Sequence, residues 1–293
     1  MHYGQFKTGL RDAYEHRGGI KSLRLGSLAL DWFTEIQREA AFIINSGSSS
    51  DVTASGHVTN WTRPTGQVRQ FSLFNSSGRS DDTTGDYGYR GDVKKKKLVF
   101  PQLKSMARFA ALFGSSLRNL RLNGMGTQSA LSAHEENSMS VRALGTDHIV
   151  RFHLPVFSNP KAHVHLDDER FHYREGELYF FHHGCVHAAA NHGTTARYHL
   201  VFDCFLDETL FENVFPGSPS PDSGFDKALI DDASMQGEPF VFPEFVCEDG
   251  RVIKTGIRYG RKAPTPIDFY RNNYPSLFKW LPQTRLAQTT PGA

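Results

Sequence analysis

The stretch GELYFFHHGCVHAAANHGTTARYHLVFDCF, residues 176–205, decides the fold class. It holds two apolar segments, Glu177 to Phe181 and Tyr198 to Phe205, rich in Tyr, Phe and Val and too short to be helices. In the second segment Tyr198, Leu200 and Phe202 alternate with His199, Val201 and Asp203, the two-residue period of a strand with different faces. Just upstream, Arg174-Glu175-Gly176-Glu177 reads as a tight turn into the first segment. Further back, Leu120 to Leu122, Ser129 to Ala133, His148 to Phe157 and His163 to Leu166 share the same texture. Many short strands at this spacing, punctuated by turn residues, argue for a sandwich or jelly roll.

Helices are expected only in the first third. From Leu28 to Ile44 the residues Trp32, Phe33, Ile36, Ala40, Ile43 and Ile44 recur every three or four positions, and Gly47 ends the pattern. A second helix is expected from Pro101 to about Asn119, with Met106, Phe109, Ala110, Phe113 and Leu117 on one face. Between them, residues 45–97 are rich in Gly, Ser, Thr and Asp, and read as loops with a strand at Val68 to Phe74 and a loop segment over Ser76 to Gly91. From Asp207 onward proline-rich loops mix with short apolar pieces, and the role of that region is not legible.

Composition narrows the partners. With 33 basic and 31 acidic residues, a formal charge of +2, the chain has no global field to attract a polyanion, so nucleic acid is not expected. Lys94 to Lys97 form its one basic run and read as a solvated turn. The three cysteines, Cys185, Cys204 and Cys247, have no CxxC spacing and cannot build a disulfide framework, so a reducing compartment, the cytoplasm, is expected. No signal-peptide core interrupts the polar N-terminus, and no apolar run reaches the roughly 18 residues of a membrane span, so no membrane association is expected.

Eleven of the fourteen histidines fall between His134 and His199, which is where metal chemistry is sought first. The useful subset is His134-Glu135-Glu136, His187, and Arg197 ten residues beyond it. On a strand His134 and Glu136 share a face, with Glu135 turned away, so both can reach one metal ion. Two imidazoles and a carboxylate can cover one face of an octahedral Fe(II) and leave three positions open. Zinc accepts the same donors. A buried arginine demands an anion, because an unpaired charge is costly inside a protein. For Arg197 that anion is either Asp203 of the same strand or a bound carboxylate.

The combination Arg151-Phe-His153-Leu, Arg174-Glu-Gly176-Glu-Leu-Tyr-Phe, His187 with Arg197, and Phe202-Asp203 resembles the aspartyl/asparaginyl β-hydroxylase superfamily of Fe(II)/2-oxoglutarate dioxygenases, and is most similar to its bacterial proline hydroxylase branch. The resemblance covers about residues 120–207. It implies a double-stranded β-helix, a cupin-like jelly roll, in a mainly β chain with flanking α-helices. Residues 1–293 would then be one catalytic domain, with 1–119 supporting the barrel, 120–207 forming its core and 208–293 an extension. Carried over residue by residue, His134, Glu136 and His187 are the iron ligands and catalytic centre. Arg197 binds the distal carboxylate of 2-oxoglutarate, His153 and Asn123 contact the same co-substrate, and Arg151 engages a substrate carboxylate. The cofactor set is Fe(II), 2-oxoglutarate and O2. The proline hydroxylases carry Asp where this chain has Glu136; the longer carboxylate can still complete the triad, and its presence argues against halogenation.

The expected product is a hydroxylated amino acid, free or carried on a protein, formed at an unactivated C–H of a small carboxylate-bearing substrate. Two alternatives stay open: β-hydroxylation of Asp or Asn side chains in a peptide or protein, and a non-catalytic zinc-binding jelly roll. Of the other histidines, His163 and His165 alternate on a strand and one could touch the co-substrate. His172, His182, His183, His192 and His199 are read as surface or packing residues, and Cys185 as filler.

Overall fold

A computed structural model describes residues 1–14, 18–51, 68–83, 90–127, 129–134, 148–185, 187–233, 235–239, 245–246 and 252–253. Eight strands form the frame of the molecule: β5 (Leu117–Met125), β6 (Ser129–His134), β7 (Ile149–Phe157), β8 (Ala162–Leu166), β9 (Glu169–Phe171), β10 (Glu177–Phe181), β11 (His187–Asn191) and β12 (Arg197–Phe205). They alternate between two antiparallel sheets. The larger runs β10-β7-β12-β5 and the smaller β9-β8-β11-β6, so each strand of one sheet is followed in sequence by one of the other, apart from the tight β8–β9 hairpin. This winding is the double-stranded β-helix, and the expected jelly roll is what the chain forms.

The N-terminal region adds strands to the larger sheet. β1 (Ser22–Leu28) lies beside β10, and β3 (Val68–Asn75) beside β5, followed at the far edge by the two-residue β2 (Ser50–Asp51) and β4 (Lys97–Leu98). From beyond the barrel, β13 (Phe225–Lys227) pairs with β1 and β14 (Glu238–Pro239) with β9. At Gly26 the β1–β13 pair comes so close that a Cβ would sit 2.3 Å from the Asp226 carbonyl oxygen and 2.9 Å from the Lys227 Cα. Only a residue without a side chain fits there.

Alternation gives the larger sheet two faces of opposite character. Leu120, Leu122, Phe152, Leu154, Leu178, Phe180, Leu200 and Phe202 project away from the smaller sheet into an apolar core beneath the helices. There Phe152 stacks on Phe202, and Phe113 lies 4.5 Å from Phe202 between ring centroids. The core is closed by α1 (Tyr3–Tyr14), α2 (Leu30–Ser46), α3 (Lys104–Ala111) and α4 (Glu208–Val214). The amphipathic pattern expected of α2 is realised, with Trp32, Phe33, Ile36, Ala40 and Ile43 buried and the chain leaving at Gly47. The helix expected from Pro101 to Asn119 is shorter than its pattern. It ends at Ala111, a 3-10 turn follows over Gly114–Ser116 with Gly114 at φ +48°, and Leu117 already begins a strand. Phe113 and Leu117 reach the core without being helical, because pairing with β12 satisfies the backbone of this segment. At the start of α3 no local side chain caps the helix; Glu39 of α2 accepts instead from the N–H groups of Ser105 at 2.9 Å and Met106 at 2.7 Å.

The other face of the larger sheet looks into the barrel. A second, smaller apolar cluster there joins Met125, Tyr179 and Phe181 to Val164, Leu166, Phe171, Tyr173 and Ala189 of the smaller sheet and its loops. The turn before β10 is the tight one expected, with Gly176 at φ +77°. Among the described residues no helix is long and apolar enough to cross a membrane.

Candidate active site

Between the sheets, the strand register sets polar residues in rows across the larger sheet. One row is Asn119, Asp203, Arg151, Phe181 and Ser22, contributed by β5, β12, β7, β10 and β1. The next is Arg121, Val201, His153 and Tyr179. Beyond it Asn123 stands opposite His199, and Arg197 opposite Met125 at the start of β12. Because β12 alternates, Arg197, His199, Val201 and Asp203 all share the interior face.

Asp203 is fully buried and anchors the first row. Its carboxylate accepts from Arg151 Nε at 2.7 Å and Nη2 at 3.1 Å, from Asn119 Nδ2 at 2.7 Å and from Arg121 Nη2 at 3.4 Å, while Arg118 lies 3.9 Å away. Burial alone would push this carboxyl up, but the charge and hydrogen bonds of Arg151, with Arg121, hold it well below the usual carboxylate range. The arginine expected to engage a substrate carboxylate is thus occupied by a carboxylate of its own chain. The reason is the pairing of β7 with β12, which puts Arg151 directly opposite Asp203.

Arg197 presents the opposite situation. It is 5% exposed, and among the described residues it makes no ion pair. Burial pushes its guanidinium down to about 10, and among the described residues no carboxylate offsets it. Asp203, the partner a salt-bridge reading would give it, belongs to Arg151 instead. Its Nη1 donates to His199 Nδ1 at 2.9 Å. A buried cation whose one hydrogen-bond partner among the described residues is a neutral imidazole leaves a place for an anion.

His153 and His199 lie side by side, their Nδ1 atoms 3.4 Å apart. Burial first, and then the charge of Arg197, holds both rings well below the usual histidine range, so both are neutral. His153 packs 4.7 Å from the Phe181 ring, which in turn meets the ring of His187 at 5.1 Å edge to face. Phe181, with Tyr173, walls the floor of the site.

His187 opens β11, and its Cα partners are His134 on one side and Leu166 on the other. The two histidines expected to ligate a metal are therefore directly opposed across one antiparallel pair. A bulge between His187 and Ala189 adjusts the register just beyond them. The Nδ1–H of His187 donates to the Cys185 carbonyl at 2.9 Å, which assigns the lone pair to Nε2. This is the tautomer of a metal-binding imidazole. Cys185 itself is buried, and its backbone carbonyl supports the site. Glu136 lies outside the described residues, as do its neighbours over 135–147, and His134 is placed by its backbone alone. Among the described residues no three metal-binding side chains converge.

The structure thus gathers His187, His153, Asn123, Arg151 and Arg197 on the interior of one barrel and brings the His134 backbone to the same edge. His199, expected as a surface or packing residue, is 2% exposed and belongs to the interior polar row beside Arg197. The signal that could have found it was present, since Arg197-x-His199 is the same alternation that pairs Arg151 with His153. His172 and His192 are exposed as expected, while His182 packs internally, its Nε2 donating to the Leu10 carbonyl at 2.8 Å.

A model of the family described as aspartyl/asparaginyl beta-hydroxylase matches residues 33–206, more than half of the chain. Solved structures similar to it include a 2OG-Fe(II) oxygenase family oxidoreductase from Burkholderia pseudomallei, 16% identical, covering 70% of this chain and 91% of that one with a TM-score of 0.39. A Pseudomonas putida prolyl-4-hydroxylase is 12% identical, covering 68% of this chain and 97% of that one with a TM-score of 0.36. A non-heme alpha ketoglutarate dependent carbocyclase from nogalamycin biosynthesis, SnoK, is 10% identical, covering 76% and 95% with a TM-score of 0.42. No curated protein sequence matches the chain.

Proposed function

Since the chain belongs to the aspartyl/asparaginyl β-hydroxylase family, we propose that it is an Fe(II)/2-oxoglutarate-dependent dioxygenase hydroxylating a small, carboxylate-bearing amino-acid substrate, free or carrier-bound. The observation that carries this reading is Arg197, a buried cation without an acidic partner among the described residues, on the interior of the same barrel as His187. A structural zinc site has no use for such a group, whereas a dicarboxylate co-substrate supplies the missing charge.

His134, His187 and Glu136 would hold the metal. When bound, Fe(II) with 2-oxoglutarate and O2 supplies the oxidising power that replaces a C–H hydrogen by hydroxyl, with release of succinate and CO2. The protein's own part is binding, orientation and exclusion of water. His187 meets this need with its Nε2 lone pair, set by the Cys185 carbonyl. Arg197 receives the far carboxylate of the co-substrate, with Asn123 and neutral His153 beside it. Phe181 and Tyr173 keep the floor dry. Around Asp203 three guanidinium groups, those of Arg151, Arg121 and Arg118, surround one carboxylate.

Anaerobic addition of Fe(II) and then 2-oxoglutarate should produce a metal-to-ligand charge-transfer band, and succinate release across a panel of free amino acids, peptides and carrier-bound aminoacyl groups should identify the substrate class. Absence of the band would remove the dioxygenase reading. Turnover restricted to Asp- or Asn-containing peptides would replace the small substrate with a protein one.

A further inference from the structure

We propose that His199 is a positioning residue of the co-substrate site, holding Arg197 through Nδ1 and offering its Nε2–H to the same carboxylate that Arg197 receives. The inference deepens the reading above and rests on Arg197 being the anchor of 2-oxoglutarate. It begins from a constraint of hydrogen-bond chemistry. A guanidinium has five donors and no acceptor, so at 2.9 Å from Arg197 Nη1 the His199 Nδ1 must accept. A neutral ring that accepts at Nδ1 carries its proton on Nε2. That atom is buried and has no hydrogen-bond partner among the described residues, and the same is true of Arg197 Nε.

Two buried donors on alternate residues of one strand, with no acceptor for either among the described residues, suit an acceptor brought by a ligand. Asn123, the cross-strand neighbour of His199, adds a third polar atom, for its Oδ1 is buried and also lacks a hydrogen bond among the described residues. An amide can present nitrogen in place of oxygen by turning over, so this position can supply a further donor to an anion. The Nδ1 of His199 faces both the guanidinium and the Nδ1 of His153. It therefore fixes the orientation of the arginine before any ligand arrives, which reduces what binding must order.

Side-chain nitrogen NMR of the histidines tests the tautomer directly, with the His199 resonances identified by their absence in His199→Gln. An unprotonated Nδ1 and protonated Nε2 at neutral pH is the result expected; a protonated Nδ1 overturns the proposal. Calorimetric titration of 2-oxoglutarate into the redox-inert Zn(II)-loaded protein then separates positioning from packing. His199→Leu should weaken binding about tenfold or more, as loss of a hydrogen bond to a charged group implies, while His199→Gln, which keeps an acceptor and a donor, stays within about threefold of the parent. Equal affinities in all three proteins, or equal losses in the two variants, would overturn it. If the parent protein binds no 2-oxoglutarate, the co-substrate reading falls and takes the proposal with it; binding with the other tautomer removes the His199 assignment alone.

Discussion

Replacing Asp203 with Asn keeps the shape of the side chain and removes the carboxylate that Arg151, Arg121 and Arg118 face. Asp203 is fully buried, bidentate to Arg151 at 2.7 and 3.1 Å, and within 3.4 Å of Arg121. Its loss leaves Arg151 charged in a dry interior, and breaking a buried pair on one side costs about 3–5 kcal/mol. At roughly 2–4 °C per kcal/mol for a large domain, the thermal midpoint should fall by about 6–20 °C. Urea denaturation at pH 7 measures the loss directly. Removing both partners, in Arg151→Met with Asp203→Leu, should recover at least half of it, because no buried charge of that pair is left behind. The pH dependence carries a further signature. Asp203 titrates lower in the folded chain than in the unfolded one, so its contribution is fully present above the unfolded value near 4 and is lost as pH falls through the folded value. The parent should therefore lose stability steeply below about pH 4, and the Asn variant should lack that component. A loss under about 1 kcal/mol, or a double variant as unstable as the single one, would show that Arg151 is not tied to Asp203 and return it to the role of a substrate handle.

Four other outcomes follow from the same geometry. His187→Ala should abolish stoichiometric metal binding by elemental analysis, with the thermal midpoint within a few degrees of the metal-free parent; undiminished metal content would exclude His187 as a ligand. Arg197→Ala should raise the 2-oxoglutarate requirement about 100-fold, the equivalent of two charge-assisted hydrogen bonds, and an unchanged co-substrate dependence would show that the clamp lies elsewhere. Gly26→Ala drives a Cβ into the backbone of β13 and should cost about 1–3 kcal/mol in chemical denaturation, whereas a neutral result would mean that the β1–β13 pair yields freely. Glu39→Ala removes the acceptor for two N–H groups at the start of α3 and should cost about 1–2 kcal/mol, with Glu39→Gln retaining part of it.

The strands were legible because each carries its own two-residue period, and Glu177–Phe181 has in the structure the bounds expected of it. The α2 helix was legible for the same reason at a period of 3.6, with its end marked by Gly47. β1 was not, because Ser22–Leu28 is short and interrupted by Arg24 and Gly26, and it becomes a strand only through partners more than 150 residues away. The overlong reading of α3 has the same origin, since a helical spacing of Phe113 and Leu117 could not reveal that β12 would claim the backbone from Leu117 onward.

At the site the division is sharper. Residue types and spacing grouped His134, Glu136, His187 and Arg197 as one expected site, with His153 joined to them by the family resemblance, because a metal with a dicarboxylate co-substrate restricts which side chains can serve and alternation restricts their spacing; Glu136 lies outside the described residues. Which arginine is free to take an anion was decided only by the tertiary structure. Arg151 and Arg197 lie on adjoining strands with Asp203 between their claims, and the register that sets Asp203 opposite Arg151 leaves Arg197 without a carboxylate among the described residues, held by His199. Charge pairing inside a barrel is a property of cross-strand distance, and cross-strand distance is not written in either strand by itself.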